Sequence, residues 1–269
     1  MKTLQILIII ISIGLVACNS TNNKSLKKEI SDTISKTLET QITSKKTQEE
    51  FELQQVNDSL IAEKNLKSIL ETISKNKDSY KYHSDTLEIN YGYIFSKTIK
   101  HLFVKQNFQT SNYINIFKFE NGKFINVHKQ SEWSMIYIND SIRDVNGDGN
   151  QDYLYHWYPL SGCCSRDIYD VFLQKTNGDF TEKIKFINPT FSSNEKIIRG
   201  LCYGHGSPLY KYKWNKFSVD TIEFIYFPNS ANGNKYIRRK HNSETEIGQI
   251  LKDLPLEYKK IGYSYDSQE

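Results

Sequence analysis

Phe117-Lys118-Phe119-Glu120-Asn121-Gly122-Lys123-Phe124 is the stretch on which the fold turns. An alternating aromatic strand runs into Asn-Gly and restarts at once on phenylalanine. Asn-Gly suits a type I′ turn because both central residues take positive φ, and that turn matches the twist of the strands it joins. Phe172 to Phe180, around Asn177-Gly178, and Tyr210 to Phe217, around Trp214-Asn215-Lys216, share the design. Outward from these hairpins the same period of two marks Leu87–Tyr91, Ile114–Phe119, Asp170–Leu173 and Ile222–Tyr226 as strands. Composition agrees: 18 Tyr, 14 Phe and 3 Trp stand against three alanines, Ala17, Ala62 and Ala231, and aromatic side chains suit a pleated surface. The expected fold over residues 80–269 is mainly β, an antiparallel meander of hairpins forming a twisted sandwich or a propeller-like array. Those 190 residues, with unequally spaced hairpins, are too few for a complete multi-blade propeller.

Before Tyr80 the period becomes helical. Leu66, Ile69, Leu70 and Ile73 fall at i, i+3, i+4 and i+7, with Lys64, Lys67, Glu71 and Lys75 on the other faces, which predicts an amphipathic helix within 55–79. Upstream, Leu26, Ile30, Ile34, Leu38 and Ile42 recur every four residues, so their stripe winds around any helix they form. Residues 19–54 are therefore expected to be a polar tether, with a long loose helix as the alternative. Residues 19–79 carry ten basic and ten acidic side chains, which makes the stalk neutral rather than a basic membrane-binding patch. At the other end, Ser243 and Glu246 form a capping-box pattern ahead of Ile247, Ile250, Leu251 and Leu254, predicting a short C-terminal helix over 244–253 that stops before Pro255.

A formal net charge of +4 (35 basic against 31 acidic residues) is small and spread along the chain, so no nucleic-acid partner is expected; the charged run Tyr236 to His241 suits protection of a sheet edge. After Met1-Lys2, the apolar run Leu4 to Ala17 is shorter than the roughly 20 residues of a membrane-spanning helix and ends Leu15-Val16-Ala17-Cys18. That ending resembles the lipobox of bacterial lipoproteins. The resemblance implies a signal peptide over 1–18, lipidation at Cys18 and an envelope location. Asn19 in place of Asp points to the outer membrane, and the lack of an acidic cluster after Cys18 to its periplasmic face.

Asp144-Val145-Asn146-Gly147-Asp148-Gly149-Asn150-Gln151-Asp152 places oxygen-bearing side chains at loop positions 1, 3, 5 and 9. A hard cation such as Ca²⁺ takes about 6 to 8 oxygen ligands, and a tightly curled loop with Gly at position 6 lets alternate residues converge on it. Position 12 is Tyr155 rather than the bidentate Glu of an EF-hand. The motif resembles the calcium loop of FG-GAP and VCBS-type β proteins, which joins two strands, and Tyr153 to Tyr158 reads as the second strand. The resemblance implies Asp144, Asn146, Asp148 and Asp152 as side-chain ligands and Asn150 as a carbonyl ligand of Ca²⁺.

Beyond Cys18 the chain has Cys163, Cys164 and Cys202, so in an oxidising compartment one bridge is expected from Cys202 to either neighbour, pinning two loops near the ion. Their spacing, and that of His156 and His205, lacks the compactness of a transition-metal site. The two loops, Pro159 to Asp167 and Leu201 to Leu209, would present Arg166, Tyr203 and His205 to a macromolecular partner. Lipobox, single calcium loop and Ser161-Gly162-Cys163-Cys164 together are similar, over about residues 135 to 225, to bacterial envelope lipoproteins that act as immunity proteins against peptidoglycan-cleaving toxins. The expected function is thus an envelope-anchored, calcium-stabilised binding protein, for which the resemblance implies inhibition of peptidoglycan hydrolases. The alternatives are a glycoside hydrolase drawing two carboxylates from Glu132, Asp167, Asp220 and Glu223, and a glycan binder using Trp133, Trp157 and Trp214.

Overall fold

The computed structural model describes residues 23–74, 78–160, 167–202, 207–228, 233–243, 246–259 and 261, with side chains from Thr47 onward. Among the described residues one α-helix, α1 (Asn23–Ser74), precedes fifteen strands. It starts far ahead of the expected residue 55, and over residues 23–54 the polar segment takes the helical alternative. Residues 19–79 contain neither Gly nor Pro, and extending a helix past its nucleus adds one hydrogen bond per residue without a new nucleation cost. The chain forms two compact units, Met1–Leu53 and Gln54–Glu269.

In the second unit, three antiparallel sheets follow one another along the chain, each a meander in sequence order. The first holds β1 (Tyr80–His83), β2 (Leu87–Gly92), β3 (His101–Asn107), β4 (Ser111–Glu120) and β5 (Lys123–Trp133). The second holds β6 (Tyr137–Arg143), β7 (Asp152–Trp157), β8 (Ile168–Phe172) and β9 (Ile184–Ile187). The third holds β10 (Pro189–Ser192), β11 (Ile197–Leu201), β12 (Leu209–Asn215), β13 (Ser218–Tyr226), β14 (Tyr236–Arg239) and β15 (Gln249–Leu251).

Strand β7 shows how the sheets stack. Its alternate residues Tyr153 and Tyr155 pack with Phe103, Ile114 and Ile116 of the first sheet. Leu154, between them, packs with Ile198, Tyr210, Trp214 and Phe224 of the third. The second sheet is therefore the middle layer, buried on both faces, which is why Tyr153-Leu154-Tyr155 reads as a continuous apolar run. On the outer face of the first sheet, Leu66, Ile69, Leu70 and Ile73 of α1 meet Ile89, Tyr91, Leu102, Val104 and Phe117, as the helical periodicity predicts. On the outer face of the third, Leu209 and Ile225 surround Tyr258, whose hydroxyl donates to Glu223 at 2.8 Å.

The turns follow the sequence with one revision. Asn121 and Gly122 both take positive φ, 52° and 77°, as a type I′ turn requires. At the second hairpin only Gly178 does (83°), and Gly178 N–H donates to Lys175 C=O at 2.9 Å, so the turn starts two residues before the Asn-Gly pair. In the third hairpin Lys216 takes the left-handed conformation.

The C-terminal helix is not formed. Residues 249–251 pair with β14 as a strand, and Leu256–Tyr258 make a 3-10 turn. The Glu246 carboxylate accepts the backbone N–H groups of Lys240 and His241 at 3.1 and 2.8 Å, closing the β14–β15 connection instead of capping a helix. Burial explains the outcome: Leu251 and Leu254 reach the cluster around Tyr258, while Ile247 and Ile250 remain in solvent.

Candidate functional site

The loop Asp144 to Asp152 joins β6 to β7 in the middle sheet. The Asp144 carboxylate accepts the N–H groups of Gly147 and Gly149 at 2.6 and 2.8 Å, so the chain curls around it. Asn146 Oδ1 accepts Asp148 N–H at 3.1 Å, and Asp148 Oδ1 accepts Asn150 N–H at 2.8 Å. Gly147 and Gly149 both sit at positive φ, 71° and 90°. Gly147 is also fixed by packing, since a Cβ there would lie 2.3 Å from the Ser193 carbonyl oxygen.

Asp152 is fully buried. Its oxygens accept Val145 N–H at 3.0 Å and Gln174 N–H at 2.9 Å. Burial, reinforced by the charges of Asp148 and Asp144, outweighs those two bonds and pushes the Asp152 carboxyl up to about 7. Gln174, beside it, is fully buried, with neither side-chain amide atom hydrogen-bonded. The expected ligands thus share one curled, oxygen-rich loop in which the charges of Asp148 and Asp144 act on Asp152. Each carboxylate oxygen keeps a second lone pair after accepting one N–H, so the donor chemistry fits a hard cation. Among the described residues no cluster of three or more His, Cys, Asp or Glu side chains is arranged to hold a metal.

The described bases of the loops expected to meet a partner lie at the other end of β7, roughly 17 Å from Asp152 at about 3.3 Å per residue. The length of β7 separates these bases from the Asp144 to Asp152 loop. Asn188, in the left-handed region at φ 47°, ties their bases together. Its Oδ1 accepts Asp167 N–H at 2.8 Å, its N–H donates to Asp167 C=O at 2.7 Å, and its Nδ2 donates to Leu201 C=O at 3.4 Å. Cys163, Cys164, Arg166, Tyr203 and His205 lie outside the described residues, as does Cys18 with the run before it. Cys202 is a free thiol, packed beside the aromatic cluster of the third sheet, and burial pushes it up to about 11. The expected bridge to Cys202 is therefore not formed here. His156 stacks on Tyr169 (ring centroids 4.2 Å apart, planes at 6°), and its Nε2 lies 3.0 Å from Asp167 Oδ1.

At this same end the surface is apolar. Trp133, Met135, Ile138, Tyr158 and Leu160 are exposed by 49, 64, 43, 37 and 57%. Tyr158 N–H donates to Ile136 C=O at 2.8 Å, which holds the β5–β6 turn against the start of the 159–167 loop. Trp157 is half-buried with Lys185 Nζ 5.2 Å from its ring centroid, and Trp214 is core.

The candidate hydrolytic carboxylates are scattered over three sheets. Glu132 accepts Gln130, Asp167 meets His156, Asp220 accepts Asn215, and Glu223 is held by Tyr258 and Arg238. Sequence reasoning also missed a buried ion cluster between the first and second sheets. Lys105 Nζ lies 2.7 Å from Asp140 and 3.0 Å from Glu88, and Tyr137 and Tyr153 hydroxyls donate to Asp140 at 2.7 and 3.3 Å. Burial pulls the ammonium down, but Asp140, Tyr137 and Glu88 together hold it well above the usual lysine range. A lone lysine in an aromatic strand gives no hint of such partners.

Compared with protein families, curated proteins and solved structures, the chain finds no match. No helix among the described residues is long and apolar enough to cross a membrane.

Proposed function

We propose that this chain is an envelope-anchored binding protein whose β body is stabilised by Ca²⁺ and captures a protein partner, a peptidoglycan hydrolase of the toxin type, at the Tyr158 end of its middle sheet. The observation that carries this reading is the exposed apolar patch Trp133, Met135, Ile138, Tyr158 and Leu160 beside two loop bases tied by Asn188. Exposed apolar side chains gathered at one end of a sheet are a mark of interaction sites on soluble domains, and aromatic and Met side chains are enriched in the cores of interfaces. Arg166, Tyr203 and His205, on the loops rising from those bases, meet the catalytic carboxylates of the hydrolase cleft. Lipidation at Cys18 anchors the chain to the outer membrane, facing the periplasm.

Asp144, Asn146, Asp148 and Asp152, with the Asn150 carbonyl, hold the ion. Ca²⁺ neutralises their mutual repulsion and fixes the loop; it takes no part in contact with the partner, which lies at the opposite end of β7. The half-exposed Trp133 supports a second reading, in which the same patch stacks on a glycan.

Inhibition of a panel of muramidases and pull-down from envelope extracts test both readings. The expected result is a partner that W133A/M135S releases at least tenfold more easily, with chelator leaving capture intact while the body stays folded. A folded protein that slows no muramidase and retains neither envelope protein nor peptidoglycan overturns the proposal.

A further inference from the structure

The β14–β15 hairpin, at the far edge of the third sheet, combines charge and apolar surface. Residues 235–252 hold five basic side chains (Lys235, Arg238, Arg239, Lys240, Lys252) and two acidic ones (Glu244, Glu246), a net of +3. The whole chain has +4, so the other 251 residues contribute only +1. Two of the five cations are already committed. Arg238 Nε lies 2.7 Å from Glu223, and Arg239 stacks over the Tyr226 ring at 4.5 Å. Lys235, Lys240 and Lys252 are exposed and pair with no carboxylate among the described residues.

Beside these lysines, Ile247 is 98% exposed and Ile250 59%. Lysines on an edge strand guard it against pairing with another chain, but that role needs no isoleucine in water. Ile250 pairs across the hairpin with Ile237, and Lys235 and Lys252 follow just beyond the next pair, Tyr236 and Leu251. Lys240 and Ile247 lie in the connection, so exposed isoleucine and unpaired ammonium groups alternate along the hairpin. That is the composition of a surface that rests on an anionic interface, with the apolar side chains entering between headgroups while the lysines meet phosphates.

We propose that the β14–β15 hairpin docks on a bilayer carrying anionic phospholipid, through Ile247 and Ile250 with Lys235, Lys240 and Lys252. The contact is separate from the apolar patch at the Tyr158 end, so it neither requires nor excludes the proposed partner.

Flotation with phospholipid vesicles tests it, using the acyl-free chain that begins at Asn19. Because Gln54–Glu269 is a compact unit by itself, removing the first 18 residues leaves the hairpin's surroundings whole. The chain is expected to float with vesicles containing about 30% phosphatidylglycerol, much less with pure phosphatidylcholine, and less as salt rises. K235E/K240E/K252E should lower partitioning about a hundredfold or more, since each lysine near such a surface contributes roughly fivefold. I247S/I250S should lower it by at least about tenfold. Far-UV circular dichroism and melting confirm that both variants are folded. Equal flotation with neutral and anionic vesicles, no flotation with either, or a folded variant that floats like the parent overturns the proposal. So does retention on duplex DNA that depends on the lysines and not on the isoleucines, without vesicle binding.

Discussion

Acidification from about pH 7.5 to about pH 4.5 should remove stability through one side chain, His128. Its imidazole sits on β5 against the middle sheet, with ring centroids 4.3 Å from Phe172 and 5.6 Å from Tyr153. Burial drives its pKa from 6.5 to about 4, and the Gln130 hydrogen bond opposes only part of that. The folded state thus holds the neutral ring while the unfolded chain takes up a proton near 6.5. Stability from this site is fully present above about pH 6.5 and is lost as pH falls toward 4, because the unfolded state binds more protons throughout that window. The full shift corresponds to about 3.5 kcal/mol at about 1.4 kcal/mol per pH unit, of which about 2.6 kcal/mol is lost by about pH 4.5. Partial exposure of the ring reduces that to about 1.5–2.5 kcal/mol. The measurement is urea unfolding of the parent and H128F across the range. Carboxylates common to both proteins cancel in the difference, so the gap should move in favour of H128F by about 1.5–2.5 kcal/mol between the two ends. Parallel curves, differing by a constant within about 0.5 kcal/mol, would refute the placement of a neutral, desolvated ring at that interface.

Three further outcomes follow from the same geometry. K105M should cost about 3–5 kcal/mol by leaving Asp140 and Glu88 without their cation, and D140L should restore part of that loss; additive single and double variants in chemical unfolding would contradict a coupled cluster. G200A should cost about 1–3 kcal/mol, because its Cβ would lie 2.4 Å from the Tyr210 ring and 2.6 Å from Asn188 O; an unchanged urea midpoint would disprove that close approach. Ca²⁺ at about a hundred times its dissociation constant should stabilise the body by about 2.7 kcal/mol, or about 5–11 °C in Tm, and D148N, which keeps the acceptor for Asn150 N–H, should abolish the shift; a melting temperature indifferent to both chelator and D148N would remove the ion from the account.

What the sequence made legible is what local pattern determines. Asn121-Gly122 demanded two positive φ values and has them, and Leu66, Ile69, Leu70 and Ile73 lie on one helical stripe that does meet a sheet. The misread C-terminal helix has a non-local cause. Ile247, Ile250, Leu251 and Leu254 satisfy a helical spacing as well as they satisfy a short strand and a turn. The decision fell to Leu251 and Leu254 finding the Tyr258 cluster, a contact no local pattern encodes. Over residues 23–54 the polar composition favoured a tether and the four-residue spacing left a loose helix as the alternative; the helix forms because nothing in the segment interrupts it. At the candidate site, the tight curl of Asp144 to Asp152 was legible because its alternating Asp and Asn with two glycines is a local pattern. Asn188 was invisible because its work is to join Asp167 and Leu201, distant in the chain and neighbours only in the fold. Its one local signal, a left-handed Asn between two short strands, was not distinctive.

The Asp144 to Asp152 loop is also a junction among all three sheets, and this separates its role from that of the apolar patch. Gln151 N–H donates to Phe95 C=O of the first sheet's β2–β3 connection at 2.8 Å. Asp152 accepts Gln174 N–H, in the β8–β9 connection of the middle sheet. Gly147 lies against the Ser193 carbonyl oxygen, between β10 and β11 of the third. Repulsion among Asp144, Asp148 and Asp152 therefore loads three connections at once, and relieving it tightens the whole body. The patch has a different support, the Tyr158 to Ile136 bond and the Asn188 bridge, neither of which touches the loop. If the proposed ion is bound, its loss should thus lower the melting temperature before it loosens the proposed partner surface. Parallel titrations of chelator, one read by melting and one by capture, should separate: the first falls at low chelator, and the second only where the body begins to unfold at the assay temperature. Coincident curves at a temperature well below melting would place the ion in the interface and reverse the assignment of the two ends of β7.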